Sequence, residues 1–593
     1  MKKMRIAVID SGISRECPCR ESVTEEYSIH LKDGEWEIES GHGEDNVGHG
    51  TAVSNIIYRY NPELEIINIK ISDQESNIDC EQLYVALRFV LEELDIDFVN
   101  VSAGITYIDN YDRLEQICNE LAGKGVYIVS AFDNEGAVSY PSALESVIGV
   151  DTSDEFKNKH EVVYLNNSCI DLVIPEQFYR TVWKDGKRTI LKGTSFACAA
   201  VTALLAKKLS ECNGRKPGKK ELLKAVCTKE LSIIQPDTKQ QEKLEIKKAI
   251  IFPVNKETHA VLKFRDLLTF ELLDVYDEKR NGLVGKNLYG MKIHSYQDIN
   301  WEQDFDTIIL SCTSELSKLT HVDYIKSILE SAREHGKAVY TFEDLKTDYD
   351  KVFYPGSQYL KPPRENLGKL WKLLIPVIGV FGTSSKQGKY TLQLEIKRRL
   401  MKIGYKVGQL ATEPSGFLFG ADHVFHFGYE ADVKLTPKDV VCLLNKMIWE
   451  SQKKGNDVLI TGSQSMTLHQ CNSNLKYMPL QQQNFLFGVL PDFIIVCVNP
   501  HDDMDYIKRT ISYLNSIDIG KVYAIAIFPV KIELTLNGMQ YKKRTLEKEE
   551  VEEYKQRIYQ ECQLPSFEIG EEKDMDSLCD LIIDTLAEPE ETE

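Results

Sequence analysis

Short apolar runs alternate with amphipathic helical patterns along the first 230 or so residues, and this alternation restricts the available folds more than any other property of the chain. IAVID (6–10), EIINIKI (65–71), FVNVSAG (98–104), VYIVSAF (126–132) and SVIGVD (146–151) read as strands. EQLYVALRFVLEELD (81–95) and DRLEQICNELAGKG (112–125) read as helices between them. A strand that is apolar on both faces must be covered on both faces, and a helix between two strands makes them parallel. The expected class is therefore α/β with a parallel sheet. A polar stretch with an internal proline, 231–248, reads as a linker. A second α/β unit opens at AIIFPVN (249–255) and a third at IPVIGVFG (375–382), where an apolar strand meets a loop rich in glycine, serine and threonine. The expected domains are 1–230, 249–372 and 373–585, followed by an acidic tail over 586–593.

At 593 residues the chain is too long for one core. Its 91 acidic and 71 basic residues give a net charge of -20, which argues against nucleic acid and anionic membranes as partners. MKKMRIAVID runs from a basic start straight to an acid, with no apolar core of a signal peptide, and no apolar run approaches the roughly 18 residues of a membrane span. The 14 cysteines are scattered without a CxxC pair, as expected of reduced thiols in a cytoplasmic protein. Cys17-Pro-Cys19 lacks a second ligand pair, so it reads as a surface loop, and no metal site is expected in the first domain.

Four short motifs carry chemistry. Asp10-Ser-Gly12 ends the first strand, Gly48-His49-Gly50-Thr51 precedes a helical run, Asp133-Asn134-Glu135-Gly136 follows a strand, and Gly193-Thr194-Ser195-Phe196-Ala197 heads a helix of small residues. Acyl transfer needs this set. A serine hydroxyl becomes a nucleophile when an imidazole takes its proton, and a buried carboxylate fixes that imidazole in one tautomer. An amide donor and the N–H groups of a helix start then stabilise the oxyanion.

In order and surroundings these motifs resemble the subtilisin-like serine peptidases over about residues 1–230. The resemblance implies Asp10 as orienting acid, His49 as general base, Ser195 as nucleophile and Asn134 as oxyanion donor. Val101-Ser102-Ala103-Gly104 matches the edge strand on which such enzymes lay an extended substrate. Asp133 stands where the family commonly has glycine, and its carboxylate favours a basic substrate side chain. Ala199 replaces a usual proline. Only nine residues precede Asp10, so folding without a propeptide and work inside the cell are expected.

Gly382-Thr-Ser-Ser-Lys-Gln-Gly388-Lys389-Tyr390-Thr391 lies between a strand and a helix, the context of a phosphate-cradling loop. Its amides would hold phosphates, Lys389 would neutralise them and Thr391 would offer a hydroxyl to magnesium, so ATP or GTP with Mg2+ is the expected ligand of this domain, bound with or without turnover, and no cofactor is expected for proteolysis. The segment resembles the dethiobiotin-synthetase-like P-loop domains. Thr461 stands where those domains carry an acid, leaving Glu413 or Asp422 as substitutes. Through stretches such as IFPVNKETHAVLKFRDLLTFELLDVYDEK (251–279), residues 249–585 also resemble peptide-maturation proteins that accompany ribosomally made, modified peptides. That resemblance implies a precursor-peptide leader as substrate and other maturation enzymes as partners. Two further readings stand beside it: a nucleotide-dependent, carboxylate-activating ligase with an accessory protease half, and a noncatalytic peptide-binding scaffold.

Overall fold

Ile6 to Ile9 are fully buried because their strand is flanked by neighbours on both edges and helices on both faces. The computed structural model describes residues 3–587 apart from 73–78, 103, 157, 213, 235–242, 428–432, 471–477, 518 and 535–540. Most of the acidic tail thus lies outside the described residues. The chain forms two units. One is Met1–Gln235 with Pro363–Lys372, and the other is Pro236–Pro362 with Leu373–Glu593. Two expectations change here. The second and third sheets share one unit, and 363–372, expected at the end of the middle domain, belongs with the first sheet.

The first unit contains β1 (Arg5–Asp10), β2 (Val23–Lys32), β3 (Glu35–Ser40), α1 (His49–Tyr60), β4 (Glu65–Lys70), α2 (Cys80–Glu93) and β5 (Phe98–Val101). Next come α3 (Tyr111–Gly123), β6 (Tyr127–Ala131), β7 (Ile148–Ser153), β8 (Val163–Asn166) and β9 (Leu172–Pro175). The hairpin β10 (Tyr179–Val182) and β11 (Arg188–Leu191), then α4 (Thr194–Ser210), α5 (Lys219–Val226) and β12 (Lys229–Ser232), complete it. Ten strands run in the order β12-β8-β9-β7-β6-β5-β1-β4-β2-β3. All neighbours are parallel except β2–β3 and β8–β9. Asp10 and the loops after β5 and β6 therefore open at the carboxyl edge of one sheet, where open α/β folds bind ligands.

α4 is buried around almost its whole circumference, with Ala197, Ala199 and Ala206 at 0% exposure. Its small side chains allow it to run through the core. The β2–β3 hairpin was not legible as strands, since its charged and hydroxyl residues face solvent at the sheet edge. β12 pairs with β8 beyond the expected boundary at 230. Cys17 and Cys19 are not a surface loop: both are buried, in the same core cluster as Ala52 and Val53 of α1.

The second unit holds two seven-stranded sheets. In the first, the strands Lys248–Phe252, Glu271–Asp277, Met291–Ser295, Thr307–Leu310, Ala338–Thr341 and Val352–Phe353 pair in parallel, and the short strand Asn287–Leu288 adds an antiparallel edge. The second is parallel throughout, with Val377–Gly382 between Val458–Gly462 and Phe493–Val498. Among the described residues no helix is long and apolar enough to cross a membrane.

Candidate active site

Asp10 ends β1 at 4% exposure, and its carboxylate faces His49 Nδ1 at 2.8 Å (Oδ1) and 3.1 Å (Oδ2). The Ser11 backbone N–H donates to the same Oδ1 at 2.8 Å. His49 is the first residue of α1 and stays partly exposed, its ring 5.4 Å from that of Phe196. Glycines make this approach possible. A Cβ on Gly50 would lie 2.3 Å from the Gly12 carbonyl oxygen and 3.1 Å from Asp10 Cβ. Gly48, at φ +114°, would drive a Cβ to 2.2 Å from the Trp183 ring.

A second buried acid, Asp45, was missed in the sequence. Its Oδ1 accepts from Val47 N (2.9 Å), Gly48 N (2.8 Å) and Ser11 Oγ (2.9 Å), and its Oδ2 from Thr51 N (2.9 Å) and Thr51 Oγ (2.6 Å). Ser11 Oγ in turn accepts from Gly50 N at 2.9 Å. One carboxylate thus satisfies the orphan amides at the start of α1 and ties the helix carrying His49 to the turn after Asp10. An acid a few residues ahead of a helical pattern was the available signal, hidden by the preceding run of polar residues.

Ser195, at the second position of α4, donates its hydroxyl proton to the Ser102 carbonyl at 2.6 Å. The Asn134 amide is oriented by Thr194, whose backbone N–H donates to Oδ1 at 3.0 Å, so its NH2 is the end left for an oxyanion. The Thr194 hydroxyl donates to the Phe132 carbonyl at 2.6 Å and fastens the Asn134 loop to the head of α4.

β5 is an interior strand between β1 and β6, so the expected substrate edge is not the strand itself but the segment beyond its end. There Ser102 Oγ is buried and donates to Asn100 Oδ1 at 2.7 Å. Ala103 lies outside the described residues. Gly104 packs so closely that a Cβ would meet Ala131 O and Ser139 Oγ, each at 2.9 Å. One oxygen of Asp133 is committed to its own loop, accepting from Glu135 N and Ala137 N at 3.0 and 3.2 Å. A cavity of about 280 Å³ is lined by Asp133, Asn134, Asp151, Glu176, Thr194 and Lys369, among others.

In the second unit Gly382 ends its strand, and Gly388, at φ +70°, caps the helix Lys389–Lys402. Lys389 Nζ donates to Ser384 O at 2.6 Å and Ser465 O at 2.9 Å, and burial pulls its ammonium down to about 8. Thr391 lies in the first turn of that helix. Thr461 is buried and back-bonded to Leu410 O at 2.9 Å. Asp422 is held by Gln409 N, Asn456 Nδ2 and Lys454 Nζ near the amino end of the strand Val458–Gly462, remote from the loop, so it is no substitute acid. Glu413 follows the carboxyl end of its strand, on the side of the P-loop. Burial and the neighbouring Glu257 push its pKa up. The Ser463 hydroxyl is buried without a hydrogen-bond partner among the described residues.

An acid-bound histidine, a serine heading a buried helix and an oriented side-chain amide gather at one edge of a parallel sheet. Residues 1–243 match the subtilase family, and residues 366–579 match a P-loop domain described as DUF1611, a domain of unknown function. Proteinase T of Parengyodontium album is 25% identical over 178 residues, covering 28% of this chain and 59% of its own. M-protease of Shouchella clausii is 24% identical over 219 residues, covering 35% and 54%. The chain thus spans little more than half the length of the curated relatives it matches. Among solved structures, the nisin leader peptidase NisP from Lactococcus lactis is 19% identical, with a TM-score of 0.31 over 38% of this chain and 82% of that one.

Proposed function

We propose that the first unit is a serine endopeptidase. The observation that carries this reading is the convergence of Asp10, His49, Asn134 and the Ser195 hydroxyl on one sheet edge. His49 Nε2 takes the Ser195 proton as Oγ attacks a peptide carbonyl, and Asp10 holds Nδ1–H and stabilises the imidazolium. The Asn134 NH2 and the amides at the head of α4 receive the oxyanion. His49 then protonates the leaving amine, and water repeats the sequence to release the acyl group. The finer reading is cleavage of the leader of a modified precursor peptide in the cytoplasm. It is supported by the resemblance of residues 249–585 to peptide-maturation proteins and by the absence of disulfides among the described cysteines.

The second unit suits a nucleotide. Gly382, Gly388, Lys389 and Thr391 would hold its phosphates and Mg2+, and the buried hydroxyl of Ser463 would gain a partner. A bound nucleotide would supply a transferable phosphoryl group, and Glu413 would be the acid to take a proton beside it.

A fluorophosphonate probe tests the first reading. Labelling of the full chain that is lost in Ser195→Ala is the expected result, and an unlabelled wild type refutes it. Mass spectrometry of candidate precursor peptides after incubation tests the finer one, which an intact leader refutes.

A further inference from the structure

The strap Pro363–Lys372 is flanked in sequence on both sides by the second unit, yet it packs into the first. It is a built element. Lys369 N donates to Asn366 O at 3.0 Å, Asn366 is fully buried, and Gly368 takes a positive φ of +86° to complete the turn. Four of its residues fasten it. Glu365 O accepts from Cys169 N at 3.1 Å and Ser168 Oγ at 2.7 Å. Leu370 O accepts from Val138 N at 3.1 Å. Lys369 Nζ sits 3.0 Å from Asp151 Oδ2, with both side chains below 15% exposure, and 5.7 Å from the Phe132 ring centroid. Trp371 is buried and hydrogen-bonded to the Tyr140 hydroxyl.

Phe132, Val138 and Tyr140 all belong to the loop that carries Asn134, and the same loop pairs with Ile105 beyond the Gly104 segment, at 2.9 and 2.8 Å. On its inner side Thr194 holds this loop, and on its outer side the strap does. Lys369 is also a cation in the wall of the cavity beside Asn134 and Thr194, whose wall includes the carboxylates of Asp133, Asp151, Asp154 and Glu176. Without Lys369, Asp151 would face that cavity as an uncompensated, nearly buried charge, next to the place where an oxyanion forms.

We propose that the strap is a working part of the peptidase, clamping the 132–142 loop so that Asn134 is aimed at the oxyanion, with Lys369 and Trp371 as positioning residues. This rests on the endopeptidase reading. It makes the peptidase unit discontinuous in sequence, with its oxyanion loop completed by residues that follow the strands of the middle sheet along the chain.

A double-mutant cycle on the full chain tests it, with kcat and KM measured on a cleaved peptide. Lys369→Met is expected to lower kcat about tenfold to a hundredfold with less effect on KM, and Lys369→Arg to restore most of it. In an Asn134→Ala background, Lys369→Met should cost less than about threefold, because its effect passes through Asn134. Losses that multiply, or full activity in Lys369→Met, overturn the proposal. Should Lys369→Met fail to fold, Trp371→Phe, which removes the indole N–H together with one ring of the buried side chain, runs the same cycle. Faster hydrogen exchange at Val138 in that variant is expected, and unchanged exchange together with unchanged kcat counts against the clamp. An inactive wild type would instead be a failure of the endopeptidase reading.

Discussion

Asp10→Asn isolates the charge of the orienting acid from its shape. When His49 takes the Ser195 proton, the imidazolium lies against the carboxylate, with Nδ1 2.8 Å from Oδ1. At an effective dielectric of about 20 and a charge separation of about 3.5 Å, Coulomb's law gives roughly 5 kcal/mol. That corresponds to a rate loss on the order of 10³ to 10⁴. The local hydrogen bonds fix the orientation of the new amide. Ser11 N–H donates to Oδ1, so the asparagine keeps its oxygen there and turns its NH2 toward the Oδ2 position, 3.1 Å from Nδ1. The imidazole retains an acceptor but loses its counter-charge and meets a competing donor. The assay is the second-order rate of fluorophosphonate labelling alongside kcat/KM on a cleaved peptide, with thermal unfolding as the control for fold. A loss below about tenfold with unfolding unchanged would show that Asp10 does not stabilise the imidazolium and refute the reasoning.

Asp45→Ala strips four hydrogen bonds from the start of α1 and one from Ser11 and should destabilise the first unit by about 3 kcal/mol or more, with amide exchange at Val47, Gly48 and Thr51 accelerating first. Gly48→Ala combines a strained φ with a clash on Trp183. A cost on the order of 3 kcal/mol is expected in unfolding followed by tryptophan fluorescence, and an unaltered transition would contradict the geometry. Lys389 is an amine whose folded pKa is lowered to about 8, so above that pH it is neutral in the free protein and must take up a proton to pair with phosphate. Nucleotide affinity by calorimetry should therefore fall with rising pH above about 8, by up to about tenfold per unit, and be lost in Lys389→Ala, while Ser195 labelling persists.

The elements buried on both faces were legible because a doubly covered strand has one composition, as in β1 and β4. Asp10, His49, Asn134 and Ser195 were legible because each sits in a short glycine-bearing motif that chemistry constrains. The β2–β3 hairpin was not, since an edge strand half in water has no apolar signature. Asp45 escaped because its role is to receive amides, a task any acid near a helix start can perform. Asp422 was a candidate only because sequence distance says nothing about which end of a sheet a side chain reaches. The strap escaped for the same reason on a larger scale: Lys369 meets Asp151 across more than two hundred residues, and no local pattern encodes that pairing.

The hairpin that closes the first sheet has its own consequence. Among the described residues β3 is the terminal strand, paired with β2 alone, and its sequence EWEIES sets Glu35, Glu37 and Glu39 at alternate positions. Its outer backbone groups are a template for another strand, yet a second copy arriving edge to edge would set glutamate against glutamate, in a chain already at -20. Cross-strand repulsion of this kind makes the sheet stop at ten strands instead of growing into an aggregate.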